Sequence, residues 1–183
     1  MAEERKKRLA LVASKGSLDE AYPPLILATT AAAMGWEVGI FFTFYGFDLI
    51  NKKRMNALKV APIGNPAMPE PIPAIPMKVP NIIGVIPGMT HLATAFMKSW
   101  MGRANLPSIP EFLEMAREMG VRLFACAMTM GVMGVKEEDL TCSDDAWAAM
   151  GGVEQEDLID GCELVGATTF LDFAADADVT LYV

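Results

Sequence analysis

The chain has 183 residues, 52% of them hydrophobic and 21% charged, with a net charge of −8. That length gives one domain whose core does without disulfide staples, and the acidic balance (pI ≈ 4.7) excludes a nucleic-acid binder, which needs a basic face. Three cysteines, Cys126, Cys142 and Cys162, with no secretory leader, fit a protein of the reducing cytoplasm.

In chain order, the apolar run 8–14 predicts a first strand and Lys15-Gly16-Ser17 a turn. A helix follows over 19–34, capped by Ser17 or Asp19 and ended by Gly35. Pro23 and Pro24 leave its start open between Asp19 and Tyr22. Residues 37–44, β-branched and aromatic, predict a buried parallel strand, and 45–51 a turn into a short helix. The stretch 23–47 is apolar enough to suggest a bilayer span, but Gly35-Trp36-Glu37 divides it into helix and strand. A soluble domain is favoured, and membrane association is the alternative.

Residues 61–80 carry seven prolines, which exclude helix or central strand and leave a long loop, either spacer or docking arm. A third strand is expected over 81–86, turned by Pro87-Gly88. A helix over 90–101 places Leu92, Ala95, Phe96, Ser99 and Trp100 at helical spacing. Ser108 and Pro110 open another helix, with Phe112, Leu113, Ala116 and Met119 on its apolar face and Gly120 at its end. Residues 121–127 form the next strand, with Cys126 near its carboxyl end. A last helix over 165–174 and a closing edge strand over 179–183 complete an α/β domain around a mostly parallel sheet of about five strands, helices on both faces. Two acidic segments, 133–140 and 151–158, echo each other at an offset of 18 residues. Two copies do not make a solenoid.

The chemistry concentrates at Cys126. Ligand sites in open parallel sheets gather beyond the carboxyl ends of the strands. A thiol leaving a strand just before a helix meets backbone N–H groups and a dipole that favour thiolate, the reactive form of cysteine. The other reading is a buried apolar cysteine. Met128, Met130 and Met133 read as packing, a soft apolar wall beside the thiol. No C-x-x-C pair, no zinc ligand set, no G-x-G-x-x-G and no Walker A motif is present, so neither metal nor organic cofactor is expected. His91, the one histidine, reads as a structural or capping residue before a base.

The runs PGMTHLATAFMK (87–98), Asn105-Leu-Pro107, GVRLFACAMTMGVMGV (120–135) and DGCELVGATTFL (160–171) resemble the DsrE/DsrF/DrsH-like family, in particular its DsrE2 branch. The resemblance spans roughly residues 8–183. It implies a single flavodoxin-like domain over 1–183 that self-associates into a homo-oligomer. It also implies a sulfur carrier or sulfurtransferase holding sulfane sulfur as a persulfide. The partners implied are TusA-like carriers or rhodaneses, and the family cysteine falls on Cys126. Gly131 stands where the family pattern leads to a polar or acidic residue, and 141–156, carrying Cys142, looks like an insertion. Cys162 and Cys142 are candidate second thiols without a family role. The competing reading is a non-catalytic, oligomeric interaction protein docking a redox or sulfur-transfer enzyme. A thiol peroxidase is weaker, because Thr129 alone would have to serve as the thiol's polar partner.

Overall fold

The computed structural model describes residues 5–60, 86–132, 159 and 161–183. The expected proline-rich loop 61–80, the echoed segments, the insertion 141–156, Cys142 and Met133 lie outside the described residues, as does all of the expected third strand but Ile86.

Among the described residues, five parallel strands form one sheet: β1 (Arg8–Ala13), β2 (Glu37–Phe42), β3 (Arg122–Cys126), β4 (Cys162–Val165) and β5 (Val179–Tyr182), in the order β4-β3-β2-β1-β5. The described helices are α1 (Leu18–Ala33), α2 (Phe47–Ile50), α3 (Met89–Arg103), α4 (Ile109–Glu118), α5 (Ala127–Val132) and α6 (Ala167–Ala175), with a 3-10 turn at Phe44–Gly46. This is the α/β, flavodoxin-like layering expected, and all five carboxyl ends share one edge. The C-terminal strand is indeed a sheet edge, beside β1.

Residue alternation assigns the two faces. Leu9, Leu11, Val38, Ile40, Phe42, Leu123 and Ala125 alternate onto one face, where α1 packs on β1, β2 and α4. Phe41 and Phe124 point to the other, where Phe170 of α6 stacks on Phe41 at 4.7 Å and Phe173 lies 5.5 Å from Phe124. Gly39 is on this second face because a Cβ there would sit 2.6 Å from the Phe173 ring. Arg8 and Arg122 extend the aromatic stack, 4.8 Å from Phe173 and 4.6 Å from Phe124 respectively.

Several boundaries have local causes. α1 begins at Leu18, earlier than the prolines suggest, and carries both inside it. Proline in a helix interior costs a hydrogen bond. Burial of Leu18, Ala21, Tyr22, Pro24 and Leu25 offsets the two that are lost. The Glu111 carboxylate accepts hydrogen bonds from the N–H and hydroxyl of Ser108, closing the start of α4, and Gly120 ends it at φ 77°.

Two expectations are corrected, at Met119 and before the last helix, and the helix expected over 90–101 is present with an inward side of its own. Met119 is exposed rather than on the apolar face, because α4 ends at Glu118. On α3, Leu92, Ala95 and Ser99 face solvent, and Thr94 is the buried residue. Its hydroxyl donates to the Thr90 carbonyl and accepts the Val60 N–H. The stretch before the last helix is itself a strand: β4 pairs with β3 from Leu123↔Cys162 to Cys126↔Val165, and the helix starts only at Ala167.

Candidate functional site

β3 delivers Cys126 to the carboxyl edge. The thiol is the last residue of the strand and immediately precedes α5. Its rung partner is Val165, and α6 begins two residues after that, beyond the extended Gly166. Two helices therefore start beside the Cys126 rung, and the first turn of a helix presents N–H groups without intrahelical partners. Cys126 is 6% exposed, with buried Met130 close after it in sequence. By strand alternation its side chain belongs to the α6 face, two residues on from Phe124.

The neighbouring strand end is tied to this junction. Phe42 pairs with Ala125, so Thr43 follows β2 at the level of Cys126. The Thr43 and Thr129 hydroxyls are 3.0 Å apart, and Thr129 Oγ1 accepts the Phe44 N–H at 3.0 Å. Phe44 has φ 46°, a left-handed conformation that costs a bulky residue energy. The bond from its N–H to a buried hydroxyl helps to hold it there. The Thr43–Thr129 tie was not read from the sequence. Both residues sit just past strand ends, and aligning those ends is the signal that finds them.

Cys162 lies elsewhere. It opens β4, opposite Leu123, three rungs from Cys126, which is roughly 10 Å along the strand. An odd number of rungs also puts the two thiols on opposite faces of the sheet. Cys162 is half-buried, and burial, then the charge of Glu163, pushes its pKa up to about 12. Near neutral pH it is a protonated, weakly nucleophilic thiol. The structure does not bring the two cysteines together. His91 meets Lys59 Nζ at 3.4 Å on the exposed surface. Met128 is exposed and Met130 buried, so the apolar wall expected beside the thiol has one outward and one inward member. Among the described residues, no group of three or more metal-ligating side chains comes together, and no helix is long and apolar enough to cross a membrane.

A parallel α/β sheet with a cysteine at the carboxyl end of an inner strand, between two helix starts, defines the class. The chain belongs to the DsrE/DsrF/DrsH-like family, whose model matches residues 5–150. It is 40% identical over 178 residues to the sulfur carrier protein DsrE2 of Allochromatium vinosum, covering 97% of this chain and 99% of that one. It is also 29% identical over 183 residues to the uncharacterized protein YrkE of Bacillus subtilis, covering 98% and 99% of the two chains.

Proposed function

We propose that this protein is a sulfur carrier that holds sulfane sulfur as a persulfide on Cys126. The observation that carries the reading is the position of Cys126, last in β3 and first before α5, in a chain 40% identical to a protein named a sulfur carrier. The Cys126 thiolate attacks the outer sulfur of a donor persulfide. The new S–S bond forms as the donor's own S–S bond breaks, and the donor leaves as its thiolate. An acceptor thiolate then attacks the outer sulfur and Cys126 leaves as thiolate. Nothing is oxidised or reduced overall, so the cycle calls for no cofactor.

Two helices begin beside the Cys126 rung, and first-turn N–H groups are the kind of donor an anionic sulfur calls for. Low exposure protects a persulfide from adventitious oxidation, while small donors gain access more readily than bulky ones. A macromolecular acceptor suits the edge: Phe44, Met128 and Val132, all beyond β2 and β3, are 57%, 72% and 69% exposed. A small carrier protein of the TusA type or a rhodanese, working in the cytoplasm with an oligomer of this chain, is the partner this reading proposes.

The test is intact-mass spectrometry after incubation with polysulfide, on the wild type and on each Cys→Ser variant. Adducts of about 32 Da per sulfur atom should appear in the wild type and in Cys162→Ser, and vanish in Cys126→Ser. Full loading of Cys126→Ser would sink the assignment.

A further inference from the structure

A cleft of about 670 Å³ opens at the carboxyl end of β1, and Cys126 is not among its lining residues. Its walls come from the β1–α1 turn, the 3-10 turn after β2 and residues 54–60. Three cations line it, Lys15, Arg54 and Lys59, against two carboxylates, Glu20 and Asp48. Lys15 pairs with Glu20 at 2.7 Å and Arg54 with Asp48 at 3.0 Å. Lys59 is left: its polar neighbour among the described residues is the His91 ring at 3.4 Å, and no described carboxylate neutralises it. Among the described residues, therefore, the cleft carries one surplus positive charge, in a chain whose net charge is −8.

The rest of the lining is of two kinds. Ser17 and Thr90 supply hydroxyls, and Tyr45, Leu58 and Val60 supply aromatic and apolar surface. The volume is that of a small-molecule site, several times larger than an inorganic oxyanion needs. The walls are held by two glycines. A Cβ on Gly16 would collide with the Tyr45 carbonyl, and one on Gly46 with the Ala13 carbonyl, so the two turns close on each other only because both positions lack side chains. Tyr45 walls the cleft, while the adjoining Phe44 is hydrogen-bonded to Thr129, three residues beyond Cys126. The ends of β1 and β3 are two inter-strand spacings apart, about 10 Å.

We infer that this cleft binds a small organic anion of the carboxylated-thiol class, its carboxylate on Lys59 and its body against Tyr45, Leu58 and Val60. Such a molecule in persulfide form is a soluble donor for the edge on which Cys126 stands. That role rests on the carrier reading, but the binding site does not. An inorganic anion would use the cation and leave the apolar wall unpartnered. An organic carboxylate uses both, and the thiol is what the carrier reading adds.

The experiment separates the two readings by using the Cys126→Ser variant of the full chain, which cannot load sulfur there. Reduced glutathione, which has no sulfane sulfur to transfer, is titrated while backbone amide shifts are followed by NMR. Sulfate at equal ionic strength is the control. Saturable shifts are expected at Lys15 to Glu20, Tyr45 and Arg54 to Val60. Lys59→Gln should weaken binding by about fivefold, and Lys59→Glu by about tenfold or more. Lys59 is exposed, so both variants should keep the parent's fold, checked by its amide spectrum. No saturable shifts, shifts outside the cleft, an equal response to sulfate, or indifference to Lys59→Glu would each overturn the inference. Failure here leaves loading of Cys126 in the wild type untouched, and failure of that loading leaves this binding untouched.

Discussion

Two cysteines stand on adjacent strands of one sheet, toward opposite strand ends and on opposite faces. Cys126 closes β3 at the edge where both neighbouring helices begin, with the Thr43–Thr129 pair beside it. Cys162 opens β4 three rungs away, on the opposite face, next to the carboxylate of Glu163. One thiol, though buried, stands at the strand end where a sheet of this kind gathers ligands, next to two helix starts. The other stands where burial and a neighbouring negative charge penalise an anion. On the carrier reading proposed above, a strand's direction and parity distinguish the two described cysteines, placing Cys126 at the ligand-gathering end and Cys162 at the other.

The largest effect should come from exchanging the two. Cys126→Ser is expected to abolish sulfur transfer to an acceptor thiol, and Cys162→Ser to leave it near the wild-type rate, both followed by acceptor mass. A large loss in Cys162→Ser would break the comparison. Next comes the support of the Cys126 edge. Thr129 is 2% exposed and bridges Thr43 and the Phe44 N–H. Thr129→Val leaves that N–H without its acceptor and should cost about 1–3 kcal/mol, read by urea unfolding. A change within error would mean that the hydroxyl pair does not hold this junction.

The pH dependence sharpens the other side. Because the Cys162 pKa is raised in the folded state, the native protein retains the proton where the unfolded chain loses it. The contribution to stability is complete below about pH 9 and is lost as pH rises toward about 12. Cys162→Ala should lose less stability over that window than the wild type, measured by urea midpoints. Iodoacetamide labelling of Cys162 in the folded protein should likewise rise only toward the top of it. The smallest effect is at Glu163. Its ion pair with Arg122 is close to half-exposed on both sides, so Glu163→Gln should change stability by about 1 kcal/mol or less. The same change removes the second cause of the raised pKa, so Cys162 labelling should begin at lower pH.

Much of this frame was legible in the residues. The strands expected over 8–14, 37–44 and 121–127 are found at Arg8–Ala13, Glu37–Phe42 and Arg122–Cys126, each an apolar run after a charged first residue, as doubly covered parallel strands tend to be. The helix stops at Gly35 and Gly120 were readable because both positions take positive φ, 81° and 77°. The placement of Cys126 followed from those signals alone. β4 did not, because it has four residues, lies at a sheet edge and has no continuous apolar run. Its strand character comes from pairing with β3, a tertiary effect outside the reach of local pattern. The contrast between Cys126 and Cys162 was hidden for the same reason, since parity and strand end are meaningless until β4 is a strand. On α3 the spacing predicted the helix but not its inward side, where Thr94 satisfies backbone groups and Met97 and Met101 pack against the core.

The central claim is that sulfur resides on Cys126, and the sequence provides a clean readout. Trypsin cuts after Arg122 and Lys136, so Cys126 lies alone on the peptide 123–136, while Cys142 and Cys162 share 137–183, which has no lysine or arginine. Wild-type protein would be loaded with limiting donor, alkylated without reductant, digested and mapped. The account predicts the added sulfur on peptide 123–136. Sulfur found instead on 137–183 would contradict it.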